Sequence, residues 1–152
     1  NHFMDQFKGT VYRQTMFAEF ELAMGKMAES GQALTADALC QKYHALNKLY
    51  FGPDMVSDDQ IALEWARIPH FFYNYYVFQY ATGFSAAVAI ANRILKEGAP
   101  AVADYKKFLS GGCSTDPISL LKIAGVDMSS PEPVNSALAL FGELVDEMEQ
   151  LV

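Results

Sequence analysis

The chain has 152 residues, a length that fits one domain, and 51% of them are hydrophobic and 13% aromatic, so a sizeable core can be buried. Charged residues make up 19%, below the roughly 25% usual for soluble domains, which fits either a self-contained unit or a piece whose apolar faces belong against missing segments. The net charge is −7, from 18 acidic and 11 basic residues, and no basic run is longer than Lys106-Lys107, which argues against a nucleic-acid partner.

Phe3, Phe7, Val11, Met16, Phe20, Ala23 and Met27 recur at spacings of three to five, the stripe of an amphipathic helix over about residues 2–29. Gly31 stops it. Thr35 is placed to N-cap a second helix with Leu39, Tyr43, Leu46 and Tyr50 on its apolar face, and Gly52-Pro53 ends that helix. Ser57-Asp58-Asp59 predicts the start of a short helix carrying Ile61, Ala62 and Trp65 on one face. Pro69 disfavours helical backbone at Ile68.

A long uncharged helix is expected from near Asn74 to Leu95-Lys96, ending at Gly98 and Pro100. Ala101 to Leu109 reads as a further short helix closed by Gly111-Gly112. Asp116-Pro117 opens another, with proline in the first turn. Ser129-Ser130-Pro131 opens the last, whose buried face is Leu138, Leu140, Phe141, Leu144, Val145 and Met148. No alternating strand with hairpin chemistry stands out. The expected architecture is an all-α, multi-helix bundle of six or seven helices over residues 1–152.

The 22 residues from Phe71 to Asn92 carry no charge, enough to cross a bilayer. Asn74, Gln79, Thr82, Ser85 and Asn92 interrupt them, however, and Tyr73, Tyr75, Tyr76 and Tyr80 crowd one end, so a buried helix of a larger soluble protein is the preferred reading over a membrane span. Two cysteines, Cys40 and Cys113, are too few for a disulfide framework and point to a reducing cytosolic setting. The N-terminal residues show no basic-then-apolar signal sequence. They also lack an initiator Met and enter a helical pattern at once, which suggests that residues precede Asn1.

A zinc-protease helix requires two histidines one turn apart with a glutamate beside the first. His2, His44 and His70 are each followed by other sequences, so the chain carries no complete active site by motif. One constellation is dense: Pro69-His70-Phe71-Phe72-Tyr73-Asn74-Tyr75-Tyr76-Val77-Phe78-Gln79-Tyr80. Imidazole and phenol donors at a cleft can hydrogen-bond a tetrahedral oxyanion and a peptide backbone. The bland alternative is a set of core tyrosines with hydroxyls tucked onto carbonyls. If the helix begins early, Tyr73, Tyr76 and Tyr80 share one face while Tyr75 points elsewhere.

Tyr12-Arg13-Gln14-Thr15-Met16-Phe17-Ala18-Glu19-Phe20-Glu21, together with Trp65-Ala66-Arg67-Ile68-Pro69-His70 and the tyrosines and Ala81-Thr82-Gly83 behind it, resembles the oligoendopeptidase F family. Phe108-Leu109-Ser110-Gly111-Gly112, Asp116-Pro117 and Gly125-Val126-Asp127-Met128 extend the resemblance over nearly the whole chain. It implies the C-terminal part of a cytosolic zinc metallopeptidase of the thimet oligopeptidase type, which cleaves short peptides in a channel between helical lobes. The zinc ligands, an H-E-x-x-H helix and a further Glu, would lie upstream, so no residue here is assigned to the metal, and Glu19 and Glu21 are read as structural. His70, Tyr73 and Tyr76 are the implied catalytic donors, with Tyr75 and Tyr80 binding substrate. The fragment alone is expected to be inactive. Its partners would be peptides and the missing N-terminal part, with homodimerisation through exposed apolar faces. Two other functions stay open: a non-catalytic helical peptide- or protein-binding module, and a cofactor-binding bundle with His70 as axial ligand.

Overall fold

The computed structural model describes residues 2–151, and among them every regular element is helical. In chain order these are α1 (His2–Phe7), a π-helical turn (Lys8–Tyr12), α2 (Arg13–Glu29), α3 (Ala36–Phe51), two 3-10 segments (Asp59–Arg67 and Pro69–Phe72), α4 (Phe78–Glu97), α5 (Ala99–Ser110), α6 (Pro117–Ile123) and α7 (Glu132–Glu149). The seven α-helices match the expected all-α class.

The boundaries follow from local chemistry. Thr35 accepts a hydrogen bond from the Ala38 amide at 3.2 Å and starts α3, Asp58 does the same for Ile61 at 2.9 Å, and Asp116 for Ser119 at 2.9 Å. Each satisfies one amide that a helix start leaves without a partner. Gly52 ends α3 at φ 79°, a conformation open to glycine without steric cost. Ile68 is extended (φ −94°, ψ 99°) before Pro69, so the proline effect acts where expected.

The chain divides into two compact units: residues Lys8–Ala81, and the residues up to Phe7 together with those from Thr82 onward. The core of the Lys8–Ala81 unit is aromatic. Phe20 meets Tyr43 edge-on at 5.2 Å between ring centroids and Phe71 at 5.4 Å, while Phe17 meets Phe71 at 5.8 Å. Met16, Phe20, Tyr43 and Val77 are wholly buried there, and full burial of an apolar side chain of this size stabilises by about 1.5–3 kcal/mol. In the other unit, Ala86 and Ile90 of α4 pack with Ala124 and Val126, and Phe7 stacks on Phe141 at 4.5 Å and meets Phe84 edge-on at 5.5 Å.

The segment after Asp58 is the expected short helix, wound as a nine-residue 3-10 helix. Two expectations change in detail. On α7 the residues fully buried are Pro133 and Ala137, and the apolar series Leu138 to Met148 is only half-buried. Most consequential for the site, α4 begins at Phe78 and not near Asn74. Asn74 and Tyr75 have φ of 53° and 61°, which no right-handed helix can include. The uncharged stretch is therefore only partly helical, and no described helix is long and apolar enough to cross a membrane.

Candidate functional site

The segment from Ile68 to Tyr80 is held by apolar residues on one side and presents its polar rings on the other. Ile68, Phe71 and Val77 belong to the aromatic core. Between them the chain makes a 3-10 turn at Pro69–Phe72 and then the left-handed pair Asn74-Tyr75. Each non-glycine residue in that conformation costs about 1–2 kcal/mol, and for a tyrosine the conformation is a steric outlier. Core burial on both flanks offsets that cost.

The result is a ring cluster. The His70 imidazole stacks against Tyr76 (5.7 Å, interplanar 17°) and lies edge-on to Tyr73 (5.7 Å) and Tyr80 (5.9 Å). Tyr76 in turn meets Tyr73 at 6.2 Å and Tyr80 at 5.5 Å, both near-perpendicular. The Tyr80 hydroxyl is 3.3 Å from His70 Nε2. Hydrogen bonding with Tyr76, then burial and the Tyr76 charge, push the Tyr80 phenol above its ordinary value, so it stays a neutral donor throughout the physiological range.

Tyr73, Tyr76 and Tyr80 are 59%, 39% and 38% exposed, so these rings gather without being sealed. The reading of Tyr73, Tyr76 and Tyr80 as one helical face does not hold, because only Tyr80 lies on α4 and the other two precede it. They converge on His70 by way of the left-handed turn instead. Tyr75 does not join these rings and lines a cavity of 330 Å³ with Leu22, Tyr50, Phe78 and Glu21.

Sequence reasoning missed the supports beneath this cluster. Glu64 is nearly enclosed, with a side chain 8% exposed. It accepts a hydrogen bond from the fully buried Tyr43 hydroxyl at 2.6 Å and pairs with both Arg13 and Arg67. Burial acts to raise the Glu64 carboxyl, but the Tyr43 hydroxyl and the two guanidinium groups outweigh it and hold the carboxyl below its ordinary value. Burial, and then Glu64 itself, drive the Tyr43 phenol far upward. Arg67 lies three residues before His70, so this network anchors the start of the site segment. Glu19 accepts from the Tyr50 hydroxyl at 2.9 Å, and burial followed by that bond pushes Tyr50 up to about 12.

Glu21 is 6% exposed, and its Oε1 accepts from the Tyr75 backbone amide at 2.6 Å. A signal for it was present in the sequence: a carboxylate set among Phe17, Phe20 and Met24 falls on the buried face of α2. Among the described residues no group of three or more His, Cys, Asp or Glu is arranged to hold a metal ion. Cys40 and Cys113 are both free.

A sequence model described as peptidase family M3 matches residues 1–140. Over all 152 residues the chain is 57% identical to Oligopeptidase PepF of Bacillus subtilis (strain 168), covering 23% of that protein. It is 46% identical to Group B oligopeptidase PepB of Streptococcus agalactiae serotype III, covering 25% of it. Among solved structures, the oligoendopeptidase-F of Enterococcus faecium matches 99% of this chain with a TM-score of 0.96 and 48% identity, over 29% of its own length. The chain thus spans about a quarter of the length of the proteins it matches.

Proposed function

The chain belongs to peptidase family M3, and from that premise we propose that it forms the substrate-holding part of an oligoendopeptidase that hydrolyses short peptides. In this reading His70, Tyr73 and Tyr76 donate hydrogen bonds to the oxyanion that develops as the peptide carbonyl becomes tetrahedral. Tyr80 and Tyr75 bind the substrate. The observation that carries the proposal is the ring cluster around His70: four polar rings with neighbouring centroids 5.5–6.2 Å apart, still open to solvent. Core tyrosines would be buried and would spend their hydroxyls on nearby carbonyls. These keep donor capacity on the exposed side.

Preorganised donors of this kind stabilise charge that appears only in the transition state, so they act on kcat rather than on ground-state affinity. Fixing the rings beforehand by stacking also removes reorganisation at the moment of reaction. Tyr80 contributes by keeping the His70 ring oriented through Nε2.

Zinc, which the likeness to oligoendopeptidase F implies, finds no fitting ligand set among the described residues. Its ligands would come from polypeptide outside this chain, and the 152 residues alone would not cut peptides. The two free cysteines fit work in a reducing cytosol.

The test is a set of single Tyr→Phe changes at 73, 75, 76 and 80 in the full-length protein, assayed on an internally quenched peptide. Loss of the oxyanion donor lowers kcat on the order of 10²–10³-fold with KM little changed. Wild-type turnover in all four variants would remove the phenols from catalysis.

A further inference from the structure

Two adjacent residues in left-handed backbone, one of them a tyrosine, need something to hold them there. The Tyr75 amide is bound by a carboxylate 54 positions earlier in the chain, Glu21 on α2, at 2.6 Å. That carboxylate is itself buried, and its second oxygen, Oε2, is shut from water with no hydrogen-bond partner among the described residues. A buried carboxylate with one oxygen unmatched is a poor choice for packing, since an apolar side chain of the same volume would avoid the desolvation penalty. Its use here is the one bond that it makes, to a backbone amide at 2.6 Å.

One turn further along α2 lies Gly25. A Cβ at that position would overlap the Tyr75 hydroxyl oxygen. Glycine in a helix interior is ordinarily unfavourable, and here its bare backbone leaves a notch for the phenol. Helix α2 therefore grips Tyr75 twice, at its amide through Glu21 and at its ring tip through Gly25. The turn gripped in this way directs Tyr73 and Tyr76, on either side of Asn74-Tyr75, back toward His70.

We propose that Glu21, with the notch at Gly25, is the positioning residue of this site, fixing the left-handed turn that sets the spacing of Tyr73 and Tyr76 about His70. Glu21 touches no reacting atom in this scheme and acts through Tyr75. The inference rests on the peptidase reading for its catalytic consequence, but not for the grip itself, so the two can be tested apart.

The experiment compares Glu21→Ala, Glu21→Gln and Gly25→Ala in the full-length protein. Hydrogen exchange over residues 73–77 is followed by mass spectrometry, and kcat and KM are measured on the same peptide. Glu21→Ala is expected to speed exchange of the Tyr75 amide by about ten-fold or more and to lower kcat by about ten-fold or more with a smaller change in KM. Glu21→Gln keeps a carbonyl acceptor in the same place and restores most of both. Gly25→Ala, which helps helix formation and is not expected to unfold α2, displaces the phenol and lowers kcat while leaving the Glu21 bond to be read separately.

Unchanged exchange at Tyr75 in Glu21→Ala overturns the grip, whatever the activity. Faster exchange with wild-type kcat in Glu21→Ala and Gly25→Ala overturns the positioning role. If Glu21→Ala fails to fold, Gly25→Ala and Glu21→Gln decide, and full kcat in Gly25→Ala counts against the proposal. A wild-type protein that cleaves no peptide sinks the functional reading, and Tyr75 exchange then judges Glu21 by itself.

Discussion

The Glu64 centre allows a quantitative test of what supports the site segment. Replacing Glu64 with Leu leaves the Tyr43 hydroxyl, wholly buried beside Phe17 and Phe20, without its acceptor, a loss of about 1–3 kcal/mol. Arg13 and Arg67 also lose their counter-charge, but their side chains are 33% and 68% exposed. Water can resolvate both, so the full 3–5 kcal/mol expected for an uncompensated buried charge does not apply. The expected destabilisation is about 2–3 kcal/mol. Tyr43→Phe removes one bond while Glu64 keeps both guanidinium groups, and should cost about 1–1.5 kcal/mol. In the double variant the orphaned hydroxyl is gone, so the sum should fall short of additivity by about 1 kcal/mol. The chain has one tryptophan, Trp65, packed at 6.4 Å from Phe20, and urea unfolding followed by its fluorescence reads this unit. Additivity within about 0.3 kcal/mol would refute the coupling between Tyr43 and Glu64.

Three further outcomes follow from the same contacts. Because the folded fold holds the Glu64 carboxyl below its ordinary 4.5, its stabilising contribution is present above that pH and is lost as pH falls through the lowered value. Trp65-monitored unfolding midpoints should therefore drop on the acid side in the wild type, and less steeply in Glu64→Gln. Tyr50 is raised from 10 to about 12, so its contribution is complete below pH 10 and disappears as pH rises toward 12; Tyr50→Phe should flatten that alkaline limb in the same assay. Gly125 has φ 79°, and a Cβ there would overlap the Arg93 guanidinium, which binds the Ala124 carbonyl at 2.8 Å and Asp104 at 2.9 Å. Gly125→Ala should destabilise by about 1–2 kcal/mol from backbone strain alone, measured by thermal unfolding under circular dichroism, and a change within 0.3 kcal/mol would contradict the assigned role of glycine.

The helix starts at Thr35, Asp58 and Asp116 could be read in the sequence because each depends on a side chain bonding an amide three residues away. The all-α class was legible for a similar reason, since its evidence is apolar spacing within single segments. The start of α4 was not. Nothing local in Tyr73-Asn74-Tyr75-Tyr76 demands left-handed backbone; the demand comes from Glu21 and Gly25 on another helix, and from Val77, which must reach the core. The five aromatic candidates were visible as a cluster, but their geometry was not: a common helical face gives way to a turn that folds Tyr73 and Tyr76 back over His70. The apolar series on α7 was read correctly as a stripe, but it was read as the buried face of the helix, and within these residues it is only half-buried.

The left-handed pair at Asn74-Tyr75 has a consequence for anyone seeking a hardier version of this protein. Glycine at position 74 is the obvious substitution, since it adopts that backbone without steric penalty. It would also widen the set of shapes open to the very link that aims two phenols at one imidazole. Robustness and aim are thus set against each other at a single residue, and the natural asparagine is a compromise between them, a side chain tolerant enough to enter the turn and stiff enough to stay there.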